Sequence, residues 1–371
     1  DYPESLIGCK DHIALALEAA ERSMVLMQNN NGVLPFNREE TKRVLVAGQL
    51  AVSQNIGDHG SSRVRPAYIV TPLEGMKNLY GPEVEFIYDS GENTGTLKKK
   101  IAEVDAVVYV VGYNHDDEGE FATKSKYTTG GDRKSLRLRE NESSMIRETA
   151  MLSKNSVVVL IGGSAIIVEE WKDKVSGIIH AFYPGMEGGT AIARVLFGDV
   201  NPGGKLPFTV ARDESHYPEF DINATEVTYD RYHGYIKLDH DGNEASFPFG
   251  FGLSYTEFSY DSLRVECSSD RVTASINVTN TGERQGDQVI QLYIGFDGSK
   301  VEREHKLLKG FERISLNPGE KRKVSISCPF ERLRYYDPET GSWMLEKMEY
   351  QLYIGPSSDE GNLLKSNFRI D

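Results

Sequence analysis

The sequence predicts an α/β domain, a mostly parallel sheet sandwiched by helices, followed by an all-β sandwich. Three observations predict it. Short continuous apolar runs alternate with helix-forming stretches over the first two-thirds of the chain. From residue 201 the composition shifts to Pro, Gly, Tyr and acidic residues. Beyond about residue 255 the apolar residues recur at every second position. These shifts place the α/β domain at 1–210, an extended aromatic-rich connector at 211–255 and the sandwich at 256–371.

In order, 12–28 (HIALALEAAERSMVLMQ) has apolar residues at helical spacing among strong helix formers and reads as a helix. RVLVAG at 43–48 is a short buried strand, 72–79 a helix, VEFIYDSG at 84–91 a strand and TLKKKIAEV at 96–104 a helix. DAVVYVVGY at 105–113 is a continuous apolar strand. A helix at 143–154 leads to the strand SVVVLIGGS at 156–164. VSGIIHAFYPG at 175–185 is a strand ending in a Gly turn, and 188–199 is a helix. Strands rich in Val and Ile on both faces belong to a parallel sheet covered on both sides. NPGGKLPFTV, HYPEFD and FPFGFGLSYT make up the connector. RVTASINVTNTG, QVIQLYIGF, KRKVSISCPF and YQLYIGPSS then alternate between turn signals NTG, NPGEK and DPETG, the pattern of an antiparallel sandwich.

Composition narrows the function. Hydrophobic residues are 39% and charged residues 26%, and the formal net charge is −14, which repels a phosphate backbone and argues against nucleic acid as a partner. No apolar run approaches the roughly 20 residues that cross a bilayer, so no membrane association is expected. The N-terminal DYPESLIGCKDH lacks the pattern of a signal peptide and reads as a polar linker that follows something else; the compartment stays open. Cys9, Cys267 and Cys328 form no CxxC pair, and a bridge between Cys267 and Cys328 stays open.

In open parallel sheets, ligands meet the loops beyond the carboxyl ends of the strands. The loop after DAVVYVVGY carries four carboxylates within five positions, Asp116, Asp117, Glu118 and Glu120. It reads either as a solvated acidic loop or as a site where one carboxyl is held as a general acid, its protonated form favoured by burial and like charges. GDHGSSRVRP at 57–66 offers Asp58, His59 and Arg63 for hydrogen bonds to hydroxyls, but it is neither GxGxxG nor GxxxxGK[ST]. Around Ser164 the string GGSAI lacks the GxSxG elbow. The eight histidines show no HExxH or paired spacing, so neither a metal nor another cofactor is expected.

Taken together, HIALALEAAERSMVLMQNNNGVLPF, GDHGSSRVRPAYIVTPLEGM, DEGEF with GDRKSLRL, HAFYPGMEGGTAIARVLFGDVNPGGKLPFTV, YHGYIKLD, FPFGFGLSYTEF and NVTNTGERQGDQVIQLYI resemble glycoside hydrolase family 3. They lie in the part that follows its catalytic barrel. The resemblance implies a barrel, an α/β sandwich domain and a fibronectin-III-like (immunoglobulin-like) domain. The family's barrel, about 250 residues long, bears a nucleophilic Asp. No stretch here is left for it, so the barrel is expected elsewhere, as a partner of this chain. The family's acid/base is commonly a Glu-Gly in a Glu-Gly-Tyr-Asp-Arg string. Glu118-Gly119 matches the first two positions, and Asp132-Arg133 matches the last two after an insertion. Glu118 is therefore the expected acid/base, with Glu120 as fallback, and Asp58, His59, Arg63, Asp132 and Arg133 are expected to bind substrate or shape the site.

The implied function is that of part of a retaining β-glycosidase acting on an oligosaccharide or β-glycoside, β-glucosidase being the commonest activity. The alternative is a non-catalytic carbohydrate-binding or scaffold protein of the same fold. Whether the sandwich mediates a homodimer stays open.

Overall fold

The helix expected over 12–28 ends early. In the computed structural model, α1 (Lys10–Ser23) buries only Ala20, whereas Met24, Val25, Leu26 and Met27 are each 1% exposed or less. A run buried on every side does not suit a one-faced surface helix. It forms β1 (Val25–Asn29), which pairs antiparallel with the strand Gly177–Phe182. The structure describes residues 3–57, 60, 63–118, 128, 129, 132–221 and 223–371, with backbone alone for Thr128, Thr129 and Asp132. The chain folds into two units, Asp1–Lys205 with Arg212–Glu214 and Phe220–Glu226, and Leu206–Ala211 with Ser215–Glu219 and Val227–Asp371.

The first unit continues with β2 (Arg43–Ala47), α2 (Pro72–Tyr80), β3 (Glu85–Asp89), α3 (Thr94–Ile101) and β4 (Ala106–Gly112). After β4 come the short helix α4 (His115–Glu118) and the two-residue strands β5 (Thr128–Thr129) and β6 (Asp132–Arg133). Then follow α5 (Glu140–Thr149), β7 (Ser156–Ile161), β8 (Gly177–Phe182) and α6 (Gly188–Leu196). The sheet order is β1-β8-β7-β4-β2-β3, parallel except for β1 at the edge. Every residue of β4 and β7 is buried, as continuous apolar runs require in a sheet covered on both faces. The chain crosses from β2 outward to β3 and then back to β4, so strand order reverses between β2 and β4. That reversal opens a crevice at the carboxyl ends of these strands.

Glycine lets α2 and α6 touch backbone to backbone. A Cβ on Gly189 would meet the Thr71 carbonyl oxygen at 2.0 Å, and one on Gly75 would meet the Gly189 carbonyl oxygen at 2.1 Å. Thr71 caps α2 with a reciprocal capping box to Glu74.

The second unit contains β9 (Val210–Ala211), α7 (Gly234–Asp241) and β10 (Ala245–Phe247). Its main strands are β11 (Phe258–Cys267), β12 (Arg271–Asn280), β13 (Gly286–Gly295), β14 (Lys306–Leu316) and β15 (Lys321–Pro329). A hairpin of β16 (Tyr335–Asp337) and β17 (Ser342–Met344) precedes β18 (Glu349–Gly355) and β19 (Leu364–Arg369). Antiparallel sheets β11-β12-β15 and β14-β13-β18-β19 enclose a core that includes Val272, Ile276, Leu292, Ile294, Val324 and Leu352. The stretch expected to be an extended connector thus contains a helix, α7, ended by Gly242 in the left-handed region at φ 70°. All three cysteines are free. Cys267 and Cys328 both pair with Val272, from opposite sides, so they stand two strand spacings, about 9–10 Å, apart, beyond disulfide reach.

Among the described residues no helix is long and apolar enough to cross a membrane, and no cluster of three His, Cys, Asp or Glu could hold a metal ion.

Candidate active site

The acidic loop after β4 separates its carboxylates into distinct environments. Asn114 opens α4: its side-chain oxygen accepts from the Asp116 amide at 2.9 Å, and its carbonyl accepts from the Glu118 amide at 3.1 Å. Asp116 points to solvent, its side chain 74% exposed. Asp117 turns inward, 2% exposed, and pairs with Arg139 while its other oxygen accepts from the Asn114 amide. A charge this buried persists only with such partners. Glu118 lies between these extremes, its side chain 15% exposed. The fallback, Glu120, lies outside the described residues.

Among the described residues, three donors converge on Glu118. Arg133 Nε reaches Oε1 at 2.9 Å, the Gly163 amide reaches Oε2 at 2.9 Å, and the Tyr183 hydroxyl donates to the same Oε2. Arg133 is held in turn: Nη2 donates to the Ser164 hydroxyl and to the Ala165 carbonyl at 3.1 Å, and the guanidinium lies 4.2 Å from the Tyr113 ring centroid. Its Nη1 is buried with no hydrogen-bond partner among the described residues. The site therefore draws on four segments. These are the loop after β4, the β6 strand, and the turns beyond β7 and β8, all at the carboxyl edge of the sheet.

Burial sets the protonation of the neighbours. Burial first, and then the Glu118 carboxylate, push the Tyr183 phenol far above its usual range, so it remains a donor. Tyr113 is pushed up to about 12 by burial, partly offset by Arg133. His180 is lowered to about 4 by burial and is neutral. The Phe182 amide donates to its Nδ1 at 3.2 Å, leaving Nε2, 3.3 Å from the Ser164 carbonyl, to carry the proton.

Glu118 and Arg133, singled out in the sequence, are thus brought together. Arg63 lies on an exposed stretch, and among the described residues no hydrogen bond or ion pair joins it to Glu118. Asp58 and His59 lie outside the described residues, as does the side chain of Asp132, whose backbone pairs with Thr129. Sequence reasoning missed Gly163 and Tyr183. The available signals were the GGS after one strand and the FYPG after the next, both at strand carboxyl ends. It also missed a polar cavity of about 60 Å³ at the ends of β2, β3 and β4, lined by Gln49, Ser53, Asn114, Arg139 and Glu142 among others. Glu142 is 8% exposed; its Oε1 accepts from the Gly112 amide at 3.3 Å, and its Oε2 has no partner among the described residues.

Residues 24–255 match the profile of the glycosyl hydrolase family 3 C-terminal domain, and 288–358 match that of the fibronectin type III-like domain. Thermostable β-glucosidase B of Acetivibrio thermocellus is 33% identical, over 97% of this chain and 48% of its own length. A β-xylosidase of Formosa agariphila is 33% identical, over 96% of this chain and 50% of its own. The fold matches a β-D-glucoside glucohydrolase from Trichoderma reesei with a TM-score of 0.90 at 23% identity, over 98% of this chain and 56% of that one. It also matches β-glucosidase 3B from Thermotoga neapolitana with a TM-score of 0.85 at 28% identity, over 98% of this chain and 54% of that one. The chain spans about half the length of the curated relatives it matches.

Proposed function

The chain belongs to glycoside hydrolase family 3, and we propose that it supplies the acid/base carboxylate, Glu118, of a retaining β-glycosidase that removes terminal β-D-glucosyl residues. The observation that carries this reading is the set of three donors fixing Glu118 at the carboxyl edge of the sheet. Of its described acidic neighbours, Asp117 is paired with Arg139 and Asp116 faces solvent. Neither is placed to attack a sugar, and the nucleophile is assigned to a barrel outside these residues. Relatives named as β-glucosidases favour a glucosyl substrate, and the β-xylosidase keeps a xylosyl one in view.

In a retaining mechanism the two carboxyls stand about 5–5.5 Å apart across the scissile bond. The nucleophile attacks the anomeric carbon while Glu118 gives its proton to the leaving oxygen. Glu118 then takes a proton from the incoming water, which releases the sugar. Three donors facing one carboxylate suit this second step, in which Glu118 must be an acceptor. The first step needs a proton on Glu118, and that proton must find room among the same three partners.

Glu118→Gln tests the assignment in the active enzyme that contains this chain. The variant is expected to lose about 10²- to 10⁴-fold in kcat/KM for glucosides with poor leaving groups. For dinitrophenyl glucosides, which need no protonation, it should stay within about tenfold. Azide should restore turnover of the glycosyl-enzyme. Equal losses on both kinds of substrate would remove Glu118 from the acid role.

A further inference from the structure

Among the three described groups on Glu118, two can only donate. The Arg133 guanidinium has no acceptor, and the Gly163 amide has none either. The Tyr183 hydroxyl alone can do both. When Glu118 is ionised, Tyr183 donates to Oε2; when Oε2 carries a proton, that proton can point to the Tyr183 oxygen while the phenol O–H turns away. No bond to carbon is made or broken in this reversal, and the phenol keeps its own proton.

The fold places Tyr183 on Glu118 by irregular means. β7 and β8 run in register up to Leu160 with His180, and then a bulge pairs Ile161 with Phe182. Phe182 adopts φ 56°, a left-handed conformation uncommon for a bulky residue. It is fixed there by its amide on His180 Nδ1 and by its ring, 4.4 Å from the His180 ring centroid. The next residue is Tyr183, which is thereby swung across the strand end. Gly163 clears the space: a Cβ there would meet the Tyr183 ring at 3.1 Å and Glu118 Oε2 at 3.3 Å. The bulge with its left-handed Phe182 and the missing Cβ at Gly163 have one common result.

We infer that Tyr183 is a positioning residue that holds the Glu118 carboxyl in place in both of its protonation states. The inference rests on the acid/base reading of Glu118. Arg133 and Gly163 orient the carboxylate; Tyr183 keeps the acid form from turning out of line when the proton arrives.

The test compares Tyr183→Phe, Gly163→Ala and Glu118→Gln in the active enzyme that contains this chain, with thermal melts of each. Tyr183→Phe is expected to lower kcat/KM about ten- to a hundredfold for poor leaving groups, the range for one hydrogen bond to a charged group. For dinitrophenyl glucosides the loss should be slight. Gly163→Ala, whose Cβ would crowd both the Tyr183 ring and Glu118 Oε2, should follow the same pattern and serves as the second variant if Tyr183→Phe folds poorly. Loss in either folded variant that is independent of the leaving group, or no loss at all, overturns the positioning role. The two readings fail separately: a leaving-group-independent Glu118→Gln sinks the acid/base assignment itself, whereas selective loss in Glu118→Gln alone sinks only the role of Tyr183.

Discussion

At the scale of single residues, Glu142 is a carboxyl held well above its ordinary range. Burial pushes its carboxyl from 4.5 up to about 7, against the lowering influence of Arg139 and the Gly112 amide. The folded state thus binds this proton more tightly than the unfolded chain does. The stability this provides is fully present below about pH 4.5 and is lost as pH rises through about 7. The loss amounts to about 3 kcal/mol at most. Glu142→Gln removes the titration, so the variant should gain on the parent protein from about pH 4.5 to about 7 and the difference should then level off, as measured by chemical denaturation from about pH 4 to 8. Parallel pH curves for the two proteins would contradict it. Glu142 gave no signal in the sequence, because it is an ordinary helix residue until β4 closes over it. Glu118 was visible because it follows a continuous apolar strand within an acidic cluster. Tyr183 was not visible, because a bulge and a left-handed residue bring it across 65 positions of chain to Glu118.

At the scale of elements, the contact of α2 with α6 is the most sensitive join in the α/β unit. A methyl group on Gly189 would meet backbone atoms of Thr71 and Val70 at 2.0–2.6 Å, and backbone cannot step aside as a side chain can. Gly189→Ala should therefore cost about 1–3 kcal/mol or more and lower the melting temperature by several degrees. A melting curve that superimposes on that of the parent would refute the close packing. The elements that sequence periodicity located well were those with one dominant environment. β4 and β7 are apolar throughout because they are buried throughout. Two misreadings have the opposite cause. The helix expected over 12–28 merged two environments, a largely exposed helix and a wholly buried strand, into a single apolar stretch. α7 was passed over because only Leu238 in it is buried, so its apolar pattern is faint, though Gly242 marked its end.

At the scale of the molecule, the α/β unit offers a carboxylate held by three donors, and the second unit is a β-sandwich with its own core. Retaining glycoside hydrolysis needs two carboxyl groups on opposite sides of one bond. We propose that one of them lies on this chain and the other on a barrel outside these residues. That division is the central claim. The most direct test assays the 371-residue chain on nitrophenyl β-D-glucoside, alone and then joined to its barrel. The account predicts no turnover by the chain alone and turnover once the barrel is supplied. Turnover by the chain alone would mean that the nucleophile lies among these residues, and the division of the active site would be wrong.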